Sequence, residues 1–256
     1  MFDLSLATVE TVLPFIAIGF AAQLVDGALG MAFGLINSTL LMSVMGLPPK
    51  VASASVHAVE TFTTAASGIS HVINRNVNWR MFARLVIPGI IGGVLGAYVL
   101  SHVDASVARP FVMAYLAAIG LYLLYRAWRG SVERRTPRFI APLGLVGGFL
   151  DAAGGGGWGP VVTSNLLVQG ASPRETIGTV NTAEFFLTAT ISAAFIWHIG
   201  FAAFTLQTLG ILIGGLLAAP LGGILAKRVP ARLLMVMVGT LLTLTSIFSI
   251  WQALSK

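Results

Sequence analysis

Long apolar stretches follow one another along almost the whole chain, separated by short connections in which proline, glycine and arginine collect. Ten segments can be read, at residues 6–25, 29–46, 50–73, 80–102, 104–128, 139–152, 156–170, 173–197, 201–226 and 229–254. Several reach the roughly 20 residues that a membrane-spanning helix needs. The second and the seventh are shorter and broken by glycine, a pattern that fits half-helices or re-entrant hairpins. Polar residues inside the segments are few and ordered. On the third segment Ser53, His57, Glu60 and Thr64 recur at helical spacing and share one face, and on the eighth Asn181, Glu184 and Thr188 do the same. The pattern predicts an all-α integral membrane protein.

The segment order repeats. Asp26 and Gly34 recur 125 residues later as Asp151 and Gly159. Gly46, Pro49, Lys50 and Glu60 recur 124 residues later as Gly170, Pro173, Arg174 and Glu184, and Arg109 and Trp128 recur 123 residues later as Arg232 and Trp251. Such long-period similarity is the mark of a two-half transporter rather than of a solenoid. The chain is therefore divided into a first repeat at 1–128, a basic linker at 129–138 and a second repeat at 139–256. Each repeat has about five apolar segments and carries its glycine break early.

Composition and charge sharpen this picture. Of 256 residues 56% are hydrophobic and 9% charged, against about a quarter charged in soluble domains; the mean hydropathy is +0.89. No cysteine is present, which excludes disulfides, thiolate metal sites and cysteine nucleophiles. The start "MFDLSLATVE" has acids and no basic n-region, so the first apolar run is not expected to be a cleaved signal peptide. The net charge of +6 does not point to nucleic acid, because the basic residues lie between apolar runs, where they orient a chain in a bilayer.

Their distribution tests the topology. If the first two segments of each half both cross, or fold as a hairpin that returns to its own side, each half crosses an odd number of times and the halves are inverted. One side then holds Arg75, Arg80, Arg84, Arg126, Arg129, Arg134, Arg135, Arg138, Arg174, Lys227, Arg228 and Arg232, and the other only Lys50, Arg109 and Lys256. Merging the two segments into one broken span gives a more even split. The uneven division obeys the positive-inside rule better, so inverted-topology repeats with both termini outside the cell membrane are expected.

The breaks carry the candidate chemistry. Backbone freed inside a membrane must be buried in protein or line a watery cavity, and paired broken helices in two inverted halves point to a midplane substrate site. Glycines 154, 155, 156 and 157 in "LDAAGGGGWGP", with Gly27, Gly30 and Gly34 in "VDGALGMAFGL", can turn their amides into a nest at a helix N-terminus, which suits a small anion. Close helix packing is the competing account, and for Gly92 and Gly93 it is the preferred one. Of nine acids, Asp26, Glu60, Asp151 and Glu184 fall inside apolar segments at repeat-equivalent positions. An intramembrane carboxylate costs about 2.5 kcal/mol or more at the bilayer centre unless partnered or protonated. These four are assigned to coupling or gating, and His57, Asn181 and Thr182 are assigned as donors to the anion. A hydrogen-bonded seam that only fixes packing is the alternative for the carboxylates. His71 and His198, near segment ends, are expected to face headgroups or loops. No metal site and no cofactor are expected, because no His, Asp and Glu combination has zinc-protease spacing.

An anion site beside four acids, with no lysine or arginine in the segment cores, is a conflict with two resolutions. The acids can be protonated for part of a cycle, coupling anion movement to protons, or they can face away and bond the backbone ends that the breaks free.

The ordered motifs resemble the TauE/SafE sulfite exporter family over essentially the whole chain. The match lies in "GFLDAAGGGGWGPVVTSNLLVQG" (Gly148 to Gly170), "GASPRETIGTVNTAEFFLTATISA" (Gly170 to Ala193), their counterpart "GLPPKVASASVHAVETFTTAASG" (Gly46 to Gly68) and "NVNW" (Asn76 to Trp79). The first half departs from the family's glycine run with Met31, Ala32 and Phe33. The resemblance implies a transporter of small sulfur-containing or organic anions such as sulfite. A proton or cation carrier, or a channel, using the carboxylates as its path is the alternative. Two intramembrane aspartates could also serve a protease, but duplication explains the pair more simply, so the chain is not expected to be an enzyme. A purely structural subunit would carry no flux.

Overall fold

The computed structural model describes residues 6–43, 45–102, 109–129, 135–154, 156–200 and 205–254. Regular structure among them is helical throughout: α1 (Leu6–Leu29), α2 (Phe33–Ser43), α3 (Pro49–Ile73), α4 (Trp79–His102), α5 (Arg109–Trp128), α6 (Ile140–Gly154), a π-helical turn (Gly159–Thr163) running into α7 (Ser164–Val168), α8 (Pro173–Ile199), α9 (Leu206–Arg228) and α10 (Ala231–Leu254). The ten expected segments become these helices with shifted ends. Asp3, Arg134 and Lys256, and part of the linker, lie outside the described residues.

Five of the described helices, α1, α4, α8, α9 and α10, are long and apolar enough to cross a membrane. α3 has the length but not the composition. Ser53, His57, Glu60, Thr64, Ser67 and His71 are all buried on it, so its polar face is enclosed by neighbouring helices while Phe62 and Ile69 stay exposed on the other. α3 and α8 each begin on a proline, whose fixed φ suits the first turn and whose missing N–H would be unbonded there anyway.

α3 and α8 cross at the centre. Thr64 Oγ1 lies 3.4 Å from its repeat mate, Thr188 Oγ1. Thr61 meets Ser192 at 3.1 Å and Ser67 meets Asn181 at 3.0 Å, so the two helices run antiparallel. Around this pair α1 packs along α9, α6 along α4 and α5 along α10. Gly19 and Gly27 face Ile211 and Gly222, and Gly92 and Gly96 face Leu145 and Phe149, so α1 is parallel to α9 and α4 to α6. Each half thus lends its first helix to the other half's fourth. Thr63 and Ser70 face Gly215 and Gly223, which makes α3 parallel to α9 and therefore to α1, with α2 returning between them.

Glycine permits these approaches. Helices in lipid associate by close van der Waals packing, so small residues concentrate where backbones touch. A Cβ on Gly92 would collide with the Leu145 carbonyl, and one on Gly93 with Leu187 and Ile191. Packing is therefore where the structure places this pair.

The connections rich in arginine gather at one end. Arg75 after α3, Arg174 at the start of α8 and Lys227 in the last turn of α9 line one cavity of about 300 Å³ there. Arg174 Nε donates to Asn76 Oδ1 at 2.6 Å and its Nη2 to the Asn74 carbonyl at 2.9 Å. Arg232 Nε donates to the Ala127 carbonyl at 2.9 Å, closing α10 onto the end of α5.

Gly92→Leu is expected to cost about 1–3 kcal/mol by overpacking, read as a lower thermal midpoint of the detergent-solubilised protein. An unchanged midpoint would contradict the α4–α6 contact.

Candidate functional site

The helix breaks fall later than the sequence suggests. Asp26 and Asp151 lie in the last turns of α1 and α6, and the chain leaves the helix only at Gly30 and after Gly154. In both halves the aspartate then reaches across the break. Asp26 Oδ1 accepts from the Phe33 amide at 3.4 Å, and Asp151 Oδ1 accepts from the Trp158 amide at 2.9 Å, each seven residues on. These amides are at the start of the next helix, where N–H groups lack intrahelical partners and the helix dipole favours negative charge. Two further acids approach from the central helices. Asp26, Glu60, Asp151 and Glu184 are each 4% exposed or less, and Glu184 lies within electrostatic range of the other three.

The two breaks touch. Gly156, at φ +144°, is pressed against the backbone of Gly34 and Leu35, and Gly159 against Gly30 and Met31. Thr163 Oγ1 donates to the Gly30 carbonyl at 2.8 Å, tying one hairpin to the other. Of the glycines proposed as a nest, Gly30 (φ +69°), Gly34 and Gly156 are at this junction. Gly157 folds back on Leu150 and Asp151, while Gly154 stands where a Cβ would meet nothing. Gly27 packs against Gly222. Gly155 lies outside the described residues.

The polar partners differ between the halves. His57 Nδ1 lies 3.1 Å from Glu60 Oε2 and 3.8 Å from Asp151 Oδ2, and its ring stacks on Phe195 with centroids 6.2 Å apart. Asn181, its repeat mate, donates from Nδ2 to the Asp26 backbone carbonyl at 3.4 Å and accepts from Ser67 Oγ at 3.0 Å. Thr182 donates to the Gly178 carbonyl in its own helix at 2.7 Å. Asp26 Oδ2, Asp151 Oδ2, Glu184 Oε2 and His57 Nε2 are buried with no hydrogen-bond partner. No lysine or arginine occurs on α1, α2, α6 or α7, and α3 and α8 carry only Lys50 and Arg174 at their starts.

Three features were not legible along the chain. His57, Glu60 and Asp151 each offer a ligand atom within 4.8 Å of one another; the expectation of no metal site rested on spacing along the chain, and this trio joins α3 to α6. Gln23 and Asn37 are fully buried with unpartnered amide atoms on the helices flanking the first break. Gln23 stands one turn before Asp26, a spacing that could have marked it. His71, expected at a headgroup, is instead fully buried. Its Nε2 bonds the Gly27 carbonyl at 3.0 Å and its Nδ1 lies 3.1 Å from Asn76 Nδ2, so it pins α3 to the end of α1. His198 is exposed, as expected.

A family model described as "Sulfite exporter TauE/SafE" matches residues 15–249. The chain belongs to the TauE/SafE sulfite exporter family. It is 41% identical over 241 residues to a Bacillus subtilis (strain 168) protein described as "Probable membrane transporter protein YtnM", covering 91% of this chain and 80% of that one. A Haemophilus influenzae (strain ATCC 51907 / DSM 11121 / KW20 / Rd) protein described as "Probable membrane transporter protein" is 25% identical over 209 residues, 77% of this chain and 81% of its own length. "Sulfite exporter TauE/SafE family protein 3" of Arabidopsis thaliana is 24% identical over 116 residues, 45% of this chain and 24% of its own. No solved structure matches. The TauE/SafE chain is thus a multi-pass membrane transporter.

Ala32, the repeat mate of Gly157, sits at φ +107° in the first break. Ala32→Gly is expected to relieve about 1 kcal/mol of strain and raise the thermal midpoint. Gly156→Ala, pressed against Gly34 and Leu35, is expected to lower it, and Gly154→Ala to leave it unchanged. The reverse order would refute the described junction.

Proposed function

We propose that this chain is a secondary transporter that moves a small sulfur-containing or organic anion, such as sulfite, across the cytoplasmic membrane by alternating access, with protons as the coupling ion. The observation that carries the reading is the junction of the two breaks. Four buried carboxylates face one another there with three unpartnered carboxylate oxygens and no lysine or arginine. Fixed full charges crowded in low dielectric repel strongly, so some of the group must carry protons, and charged cargo entering or leaving would shift how many. Gln23 adds a neutral amide whose unpartnered Nε2 can donate to an oxyanion without adding charge, while Asn37 Nδ2 already donates to the Phe33 carbonyl.

Inverted repeats support the same reading. Antiparallel α3 and α8 meeting at mates Thr64 and Thr188 fit a two-fold axis perpendicular to both helices, which lies in the membrane plane if those helices cross it. Parallel α1 and α3, with α2 returning between them, give each half an odd number of crossings. The arginine-rich end then faces the cytoplasm and both termini face outside. His57, Asn181 and the junction glycines are assigned to the cargo, and the four acids to coupling.

A second reading, cation movement through the carboxylates, is favoured by the His57, Glu60 and Asp151 trio.

Proteoliposomes loaded with sulfite, with and without a pH gradient and with sulfate, acetate and an organosulfonate as competitors, test both. Saturable sulfite flux that follows the gradient is expected; cation flux with inert sulfite would overturn the anion reading. Glu184→Gln is expected to keep the thermal midpoint and downhill sulfite exchange but to lose gradient-driven accumulation at least tenfold. Accumulation at the original level would remove Glu184 from the coupling path.

A further inference from the structure

His57, Glu60 and Asp151 bring an imidazole and two carboxylates into one buried space. His57 Nδ1 lies 3.1 Å from Glu60 Oε2 and 3.8 Å from Asp151 Oδ2, and the three donor atoms all lie within 4.8 Å of one another. Donors held about 2.0–2.2 Å from a four-coordinate ion stand about 3.4 Å apart, a separation that the two measured edges straddle. The trio is spaced for a cation of that kind.

Its surroundings hold it in place. Ser53, one turn before His57, donates from Oγ to the Ala152 carbonyl at 3.1 Å, which fastens α3 to α6 beside Asp151. The imidazole stacks on Phe195 of α8 with an interplanar angle of 11°. Asp151 Oδ1 is fixed by the Trp158 amide at 2.9 Å, so the other oxygen, Oδ2, is the one turned to the imidazole. That oxygen is buried and has no hydrogen-bond partner. An orphaned buried carboxylate oxygen is costly, and coordination satisfies it.

Charge points the same way. Asp26 and Glu184 lie within electrostatic range of Glu60 and Asp151, and Glu184 Oε2 is buried without a partner as well. A dication between Glu60 and Asp151 balances two of the four acids and attracts the other two. The ligand types narrow the ion further. Imidazole suits zinc, nickel, copper and cobalt ions, whereas magnesium and calcium take oxygen ligands.

The other half-site lacks this set. Asn181 stands at the repeat position of His57, its Nδ2 donates to the Asp26 carbonyl at 3.4 Å and its Oδ1 accepts from Ser67 Oγ at 3.0 Å. An amide nitrogen has no lone pair to give a metal. Conduction needs successive sites that bind weakly enough to release, and the imidazole site has no counterpart to receive its ion. A dication that enters the junction is retained there.

We propose that His57, Glu60 and Asp151 form a binding site for one transition-metal dication such as Zn²⁺, held rather than carried, which joins α3 to the end of α6. On the transport reading above, on which this last step alone rests, the ion occupies two coupling acids and arrests the cycle.

The test uses the purified full chain in detergent, stripped with a chelator and titrated with Co²⁺, whose visible absorption reports its ligands, and then with Zn²⁺ as competitor. Binding of about one Co²⁺ per chain, displaced by Zn²⁺ and not by millimolar Mg²⁺, is expected. His57→Asn, which copies the repeat mate, and Glu60→Gln should each weaken it at least tenfold, whereas His198→Asn, at the exposed histidine, should leave it unchanged. No Co²⁺ binding by the unmodified chain, equal displacement by Mg²⁺, or binding lost with His198 instead of His57 would overturn the site. The first two of these results need no variant to fold. In proteoliposomes no Zn²⁺ is expected to reach an enclosed indicator, and saturable Zn²⁺ entry would overturn retention in favour of cation carriage. Sulfite flux should fall at least tenfold at Zn²⁺ about a hundred times its dissociation constant. Undiminished flux would overturn the arrest, whereas sulfite flux absent with and without Zn²⁺ would overturn the transport reading and leave the site to be decided by Co²⁺.

Discussion

A backbone amide left without a partner inside a bilayer costs several kcal/mol, and no water is at hand to absorb that cost. This chain breaks two of its helices among apolar segments, and in both places an aspartate from the preceding turn takes up an amide freed by the break. The rest of the centre depends on that contact. It fixes the distance between the end of one helix and the start of the next, and so sets where Gly30, Gly34 and Gly156 can meet. It also places the carboxylate at the positive end of a helix dipole, which favours its charge without a lysine or arginine.

On the proposed anion reading, the same contact lets acids and an anion-directed nest coexist in one place. One oxygen of each aspartate is spent on backbone, and the other is buried without a partner. The Phe33 and Trp158 amides are thus already taken by the protein's own carboxylates. An incoming anion would compete with that oxygen for the amides rather than enter an empty cradle, and a proton on the carboxylate would weaken its hold. Glu60 and Glu184 bond no backbone amide in this way. Glu60 leans on His57, while one Glu184 oxygen is without a partner. The four acids, equivalent in pairs along the chain, therefore fall into two kinds: break-capping aspartates and glutamates on the crossing helices.

The fold was largely legible because bilayer thickness and helical rise leave little choice. Ten apolar segments became the described helices, and the odd lengths of the second and seventh marked the short ones. The offsets near 124 anticipated mates such as Thr64 and Thr188, which touch. The departures come from long-range contact, which local pattern does not carry. His71 sits four residues from an exposed loop yet is buried because α1 ends against it. The trio of His57, Glu60 and Asp151 joins residues nearly a hundred apart, so no spacing rule along one helix reveals it. Gln23 and Asn37 read as ordinary polar residues near a helix end until neighbouring helices enclose them. Gly27 reads as part of a nest by proximity to Asp26, but the face it presents is the one that α9 needs.

If two halves of a transporter were identical, exchanging their conformations would give two states of equal energy, and the occupancy of inward- and outward-facing forms would be even. Differential contacts alone can bias such an equilibrium. Here the differences cluster at the junction. His57 stands opposite Asp151 in one half-site where Asn181 stands at Asp26 in the other. Ala32 holds a positive φ in the first break, whereas in the second the positive φ falls on Gly156 rather than on Gly157, and Gln23 and Asn37 correspond to Gly148 and Val162 at the 125-residue offset. Strain, an imidazole and two amides are each worth about 1–3 kcal/mol when buried, enough to move a balanced equilibrium tenfold or more in either direction. On the inverted-repeat reading, the departures of the first half from the glycine-rich pattern would therefore give a nearly symmetric fold a preferred resting state.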